Sequence, residues 1–169
     1  MKTLIAMASA VVLACCALLA AHAASAADPK AAIEGVYVLD QWNSGGKILR
    51  PPEVEGRVVL LDGAIVVILI DTAPGSQSSY AVSYGTYVLG PDSFAYGFDG
   101  RAMFTENAGT IALSRAIPWQ GEREFTLTHE GGTIHLDYQG KADFAFTPAG
   151  LIYSEGGKIL RVYHRLARE

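Results

Sequence analysis

Cysteine is nearly absent. The 169-residue chain has two, Cys15 and Cys16, and both fall in an apolar N-terminal run. The remainder therefore has no disulfide or thiol chemistry and must be held by its core alone. Basic clusters are also missing, at a formal net charge of −4, which leaves a nucleic-acid role without support. The four histidines show no metal-ligand spacing. His22 lies in the N-terminal run and His164 is remote, while hairpin register sends His129 and His135 to opposite faces, so no metal site is expected. No Gly-x-Ser-x-Gly elbow, phosphate loop or dinucleotide fingerprint occurs, and no cofactor is expected. Helical periodicity is almost wholly lacking.

What is present begins with a leader. Met1-Lys2 supplies a short positive start, and residues 3–21 are small and apolar almost without interruption. Ala24-Ser25-Ala26 then offers the small-x-small pattern of a signal-peptidase site, so residues 1–26 are a cleaved signal peptide and 27–169 one domain. Ala21-His22-Ala23 is a second acceptable site. The rival reading is a membrane anchor, because the run approaches spanning length. Val12-Leu13-Ala14-Cys15 loosely resembles a lipoprotein box, which would tether the protein to a membrane through Cys15. Against that, Ala17-Leu18-Leu19-Ala20 is apolar where lipoproteins carry a polar tether. The cleaved leader implies a periplasmic or secreted protein.

The stretch 57–70, RVVLLDGAIVVILI, organises the domain. Asp62-Gly63 between two apolar runs predicts a two-residue type I′ hairpin, since both central positions need positive φ. That turn pairs Leu61 with Ala64, Leu60 with Ile65, Val59 with Val66 and Val58 with Val67. Ile65, Val67 and Leu69 form one apolar face and Val66, Ile68 and Ile70 another, so the outer face needs cover as well as the inner. A second hairpin turns at Gly131-Gly132, pairing His129 with Ile134, Leu127 with Leu136 and Phe125 with Tyr138. Arg123 shares their face. Elsewhere, turn signals recur at 90–92, 99–100, 107–109, 139–140, 148–150 and 155–157, with strands at 80–89, 102–105 and 110–116 among others. The fold class is all-β: a single antiparallel meander barrel, or a sandwich, of about 8–10 strands. GGKILR occurs twice, at 45–50 and 156–161. Either two turn-plus-strand units happen to agree, or the first and last strands lie side by side with matched turns at one rim.

Several landmarks resemble the bacterial lipocalin-like domain family. Gly35-Val36-Tyr37 resembles its Gly-x-Trp, Tyr84-Gly85-Thr86-Tyr87 its Gly-x-Tyr strand, and Ile117-Pro118-Trp119-Gln120-Gly121 with Arg123-Glu124-Phe125 its Pro-x-x-x-Gly and Arg-x-Phe stretch. Tyr163-His164-Arg165 resembles its aromatic-x-Arg ending. Tyr37 departs from the pattern by replacing the tryptophan, and 68–80 carries no family signature. The resemblance implies a calycin-type barrel with a ligand cavity.

Small-molecule pockets are concave and mainly apolar with a few placed polar groups. Tyr84, Tyr96 and Tyr138 would offer hydroxyls, Phe125 and Phe144 apolar wall, and Arg123 the one cation on an inward face. A buried guanidinium needs a carboxylate or an anionic ligand. The plain alternative is an arginine stacked on an aromatic such as Tyr37 to cap the barrel, a role for which Arg161 and Arg165 also compete. Trp119 is either at the cavity mouth or a plug. The first functional expectation is a binder of a small hydrophobic or aromatic molecule, optionally anionic. The alternatives are a cofactor-independent isomerase, cyclase or lyase using tyrosines with His129 or Arg123, and an interaction module forming a homodimer through the outer face of 57–70.

Overall fold

The computed structural model describes residues 28–75, 77–116 and 122–167. The expected signal peptide, with Cys15 and Cys16, and Trp119 lie outside the described residues. A short helix, α1 (Pro29–Ile33), is followed by β1 (Gly35–Ser44), β2 (Lys47–Leu49), β3 (Val54–Leu61), β4 (Ala64–Asp71), β5 (Ser78–Leu89), β6 (Ser93–Asn107) and β7 (Thr110–Ala116). Then come β8 (Arg123–Glu130), β9 (Thr133–Tyr138), β10 (Ala142–Phe146), β11 (Gly150–Glu155) and β12 (Lys158–Arg165).

Sequence neighbours pair antiparallel around the sheet, and β1 pairs with β12, so a ten-stranded barrel closes on itself. This is the expected all-β meander, and its architecture is consistent with the calycin type. β2 extends the edge beside β1, and β7 pairs only with β6, outside the ring. The 57–70 hairpin adopts the predicted register, with Asp62 and Gly63 both at positive φ. The Gly131-Gly132 hairpin does likewise for His129 with Ile134 and Leu127 with Leu136.

One strand boundary differs. Turn chemistry at Asp99-Gly100 predicts a break, but β6 runs straight through it. Gly100 pairs with Tyr84 and Phe98 with Gly85, which leaves Asp99 as an extra residue in a β-bulge. A bulge absorbs one residue and bends the strand without ending it. The backbones are close there: a Cβ on Gly85 would sit 2.0 Å from the Gly97 carbonyl oxygen.

The repeated hexapeptide flanks β1 on both edges. Trp42 pairs with Leu49 of the first copy and with Arg161 of the second, and both Gly-Gly turns lie at the same rim. The copies then diverge. Pro51 has no N–H and restricts Arg50, so the first copy leaves the sheet, whereas Val162 lets the second continue.

The opposite rim is plugged. Asp28 caps α1 by accepting from the Lys30 N–H at 3.0 Å, with Pro29 at the first helical turn. The helix buries Ile33, whose carbonyl accepts from the Tyr37 hydroxyl at 2.6 Å. Arg165 donates to the carbonyls of Ala31 (2.8 Å), Ala32 (3.2 Å) and Glu34, satisfying the helix's C-terminal acceptors. Its guanidinium lies 5.9 Å from the Tyr37 ring centroid and crosses Gly35, where a Cβ would come within 2.8 Å of Nε. Of the arginines competing to cap the barrel over Tyr37, Arg165 does so. Glu34 completes the plug, accepting from the Tyr87 hydroxyl at 2.6 Å and the Asp62 N–H at 2.9 Å.

Two outcomes follow from this plug. Arg165→Met removes the charge-assisted bonds to the helix carbonyls and should cost about 2–3 kcal/mol, lowering Tm by roughly 5–10 °C in a calorimetric scan. An unchanged Tm would show that the plug does not need the guanidinium. Burial, and then the bond to Glu34, push the Tyr87 hydroxyl up to about 12. The folded state thus keeps a proton that the unfolded chain begins to release near pH 10. This contribution is complete below pH 10 and is lost as pH rises through 12. Urea unfolding between pH 9 and 12 should therefore show falling stability, and Tyr87→Phe should make the fall shallower by up to one proton.

Candidate functional site

Inside the barrel, between the plug and the far rim, lies a cavity of about 280 Å³. Its floor and walls are apolar, with Leu60, Ile65, Phe94, Leu136, Phe146 and Leu151 deep in the barrel. A cavity of roughly 150 Å³ accommodates benzene, so this one has room for a molecule about twice that size. Towards the open rim the lining changes character, with Tyr96, Tyr153, Ser83, Arg101 and Arg161, while Tyr163 lies deeper, level with Leu151. The lining contains two arginines and, among the described residues, no carboxylate.

Alternation along β12 puts Arg161 on the inward face with the buried Tyr163. Its guanidinium is held between aromatic rings, 4.6 Å from the Trp42 centroid and 5.4 Å from that of Tyr153. Its charge also acts on the Tyr163 hydroxyl. Its Nε is buried with no hydrogen-bond partner, and no carboxylate among the described residues lies within ion-pair distance. Aromatic faces offset part of the cost of desolvating a cation, but they leave its N–H donors available to a ligand.

Bulges bring the other rim residues round. Asp40 is the extra residue in β1, so Leu39 pairs with Tyr163 and Trp42 with Arg161. Strict alternation from Tyr37 and Leu39 would have turned Trp42 outward; the bulge puts its ring against Arg161. Asp99 acts the same way in β6. Phe98 faces inward by alternation, and the bulge makes Arg101 the next inward residue in place of Gly100. Both shifts re-aim a side chain at the cavity.

The expected site residues are only partly brought together. Tyr96 and Phe144 line the cavity, and Phe144 stacks on Tyr153 at 4.7 Å. Phe125 is fully buried behind that wall, its ring 5.7 Å from Tyr96 and 5.4 Å from Phe144, so it supports the lining without forming it. Tyr138 is half-buried at the rim, 5.3 Å from Phe125. Arg123 shares the inward face of Tyr96, with which it pairs, but stands at the exposed first position of β8. There it lies 5.8 Å from the Tyr138 ring centroid, and its charge acts on the Tyr96 hydroxyl. The expectation of a buried Arg123 at the cavity wall is corrected: the strand begins at the rim, where water reaches the guanidinium. Tyr84 is also corrected. It is 55% exposed on the outer wall, its ring laid across Gly100, because β5 faces Ser83 inward and its neighbour outward. Sequence reasoning missed Arg101, Trp42 and Tyr153. For Arg161 a signal existed, in its i, i+2 spacing from Tyr163, but it was read only as a capping candidate.

The cavity tyrosines hold their protons at neutral pH. Burial raises Tyr96, Tyr153 and Tyr163. The Arg123 charge opposes the shift at Tyr96 and Arg161 opposes it at Tyr163, while the bond to Glu155 adds to it at Tyr153. They can donate hydrogen bonds to a ligand or accept them. Among the described residues no group of three or more His, Cys, Asp or Glu could hold a metal ion.

The energetics of Arg161 give a prediction of definite sign. Replacing a cation with no carboxylate partner by an apolar side chain of similar length removes a desolvation cost. Arg161→Met should therefore leave the ligand-free Tm unchanged or raise it, while Leu136→Ala, deep in the same wall, should lower stability by about 2–5 kcal/mol. A large loss of stability in Arg161→Met would mean that the arginine is a structural strut.

No protein-family model, curated protein or solved structure matches the chain, so the reading of this site stands on its own residues.

Proposed function

We propose that this protein is a lipocalin-like binding barrel, exported to the periplasm or beyond, that sequesters a small apolar molecule bearing one anionic group. The observation that carries this reading is the cavity's charge balance. An apolar chamber of about 280 Å³ has Arg161 and Arg101 near its mouth and no carboxylate in its lining among the described residues. A ligand carboxylate or phenolate would meet Arg161 between Trp42 and Tyr153, with its apolar part running down towards Leu136 and Leu151. Tyr163 and Tyr96 would supply further polar contacts. The leader at 1–26 supports export.

Matched acids and alcohols test the proposal: octanoate with 1-octanol, and 3-phenylpropanoate with 3-phenylpropanol. By titration calorimetry the acid of each pair should bind at least about tenfold tighter, the equivalent of one charge-assisted hydrogen bond. Binding should change Trp42 emission, a signal that Trp42→Phe would abolish. Arg161→Met should bring acid and alcohol to similar affinity. Failure of every acid to bind, or equal binding of acid and alcohol by the unaltered protein, would overturn the reading.

A further inference from the structure

Of the two strands outside the ring, β7 is the longer, and among the described residues one whole edge of it is unpaired. It pairs with β6 from Asn107↔Thr110 to Arg101↔Ala116, and among the described residues its other edge pairs with no strand. Exposed edges are usually blunted by lysine, proline or a bulge. β7, TIALSRA, has none of these. Two of its outward residues are large and apolar, Ile111 at 69% exposed and Leu113 at 51%, and the third is Arg115. Leu113 pairs with Phe104, which pairs with Tyr80 across β6, so an apolar row crosses this part of the sheet's outer face. The patch continues towards Ile70 and Ile68 of the 57–70 hairpin.

We infer that β7 is an interface for a second copy of this chain, the two strands pairing antiparallel about a two-fold axis through Leu113. Leu113 is the central residue of β7, so this is the register in which every residue from Thr110 to Ala116 finds a partner. It sets the outer faces in complementary rows. The middle row reads Phe104, Leu113, Leu113, Phe104 across the two copies. In each flanking row Ile111 faces Arg115 of the other copy, and Glu106 lies one strand further on, paired with Ile111. Strands are about 4.8 Å apart, so Glu106 and the opposing Arg115 have backbones roughly 10 Å apart, a gap their two side chains bridge. Opposite charges therefore flank an apolar centre, and the strand with the free edge matches itself. This inference is independent of what occupies the cavity.

Sedimentation equilibrium on the purified protein, at concentrations on the order of 10–100 µM where a small interface self-associates, provides the test. The unaltered protein should show dimer mass, and Leu113→Lys, which sets two like charges against each other across the axis, should be monomeric with an unchanged Tm. Arg115→Glu should weaken the dimer at least about tenfold, and Glu106→Arg in the same chain should restore it. This pair of variants keeps the test decisive should Leu113→Lys disturb folding. A monomer throughout, or a dimer that survives Leu113→Lys, would overturn the interface. Lack of rescue by Glu106→Arg would overturn the register.

Discussion

The pairing of the first strand with the last is the contact on which the rest of this molecule depends. Without β1 beside β12 the sheet would have two open edges and no interior. With it, one strand, β12, serves both ends of the barrel. Arg165 holds the helical plug over Tyr37 at one rim, and Arg161, four residues earlier on the same face, reaches the cavity near the other. Tyr163 lies buried between them. The plug-holding and the cavity-facing cation are thus separated by two periods of side-chain alternation, and what distinguishes them is the groups each meets. Arg165 meets backbone carbonyls left open by a helix end; Arg161 meets aromatic faces and empty space.

That contrast explains how a cation is tolerated inside an otherwise apolar barrel. Trp42 and Tyr153 present their rings to the guanidinium, while Nε stays unpartnered among the described residues. A core selected for stability alone would place an apolar side chain there. On the proposed reading the retained charge is what would let the cavity select an anionic ligand, and the plug closes the opposite rim.

The outer wall follows another logic. On β8, the next strand of the ring after β6, the outward positions are polar: Glu124, Thr126, Thr128 and Glu130 are exposed. On β4 to β7 they include Val66, Ile68, Ile70, Tyr80, Val82, Phe104 and Leu113, with Glu106 and Arg115 at the edge of the patch. Asymmetry of this kind is costly in water unless another surface covers it. The free edge of β7 lies at the end of the apolar side, which makes edge pairing and burial of the patch parts of one contact.

Much of the barrel was legible in local sequence, because turns and alternation are short-range. Asp62-Gly63 and Gly131-Gly132 set their hairpins since only residues tolerant of positive φ fit there, and the register of Val58, Leu60, Ile65 and Val67 then follows from period two. The identical GGKILR copies correctly offered closure as one of two readings. The site was much less legible. Tyr96 and Phe144 were read onto the cavity wall, but Tyr84 and Arg123 were misplaced, and Arg101 and Trp42 passed unnoticed. The causes are physical: for Trp42 and Arg101, a bulge at Asp40 or Asp99 adds one residue and flips the parity of everything after it, at a position set by a partner strand distant in sequence. For Tyr84 and Arg123, pairing decides which face of β5 turns inward and how far β8 reaches towards the rim. The sequence by itself determined an all-β antiparallel meander with an apolar interior and, after its N-terminal run, no disulfide; that it closes as a barrel was decided by the pairing of β1 with β12. Which cations face that interior, and which strand edge is left open, was decided only by tertiary pairing, because both depend on register between strands and not on the pattern within one.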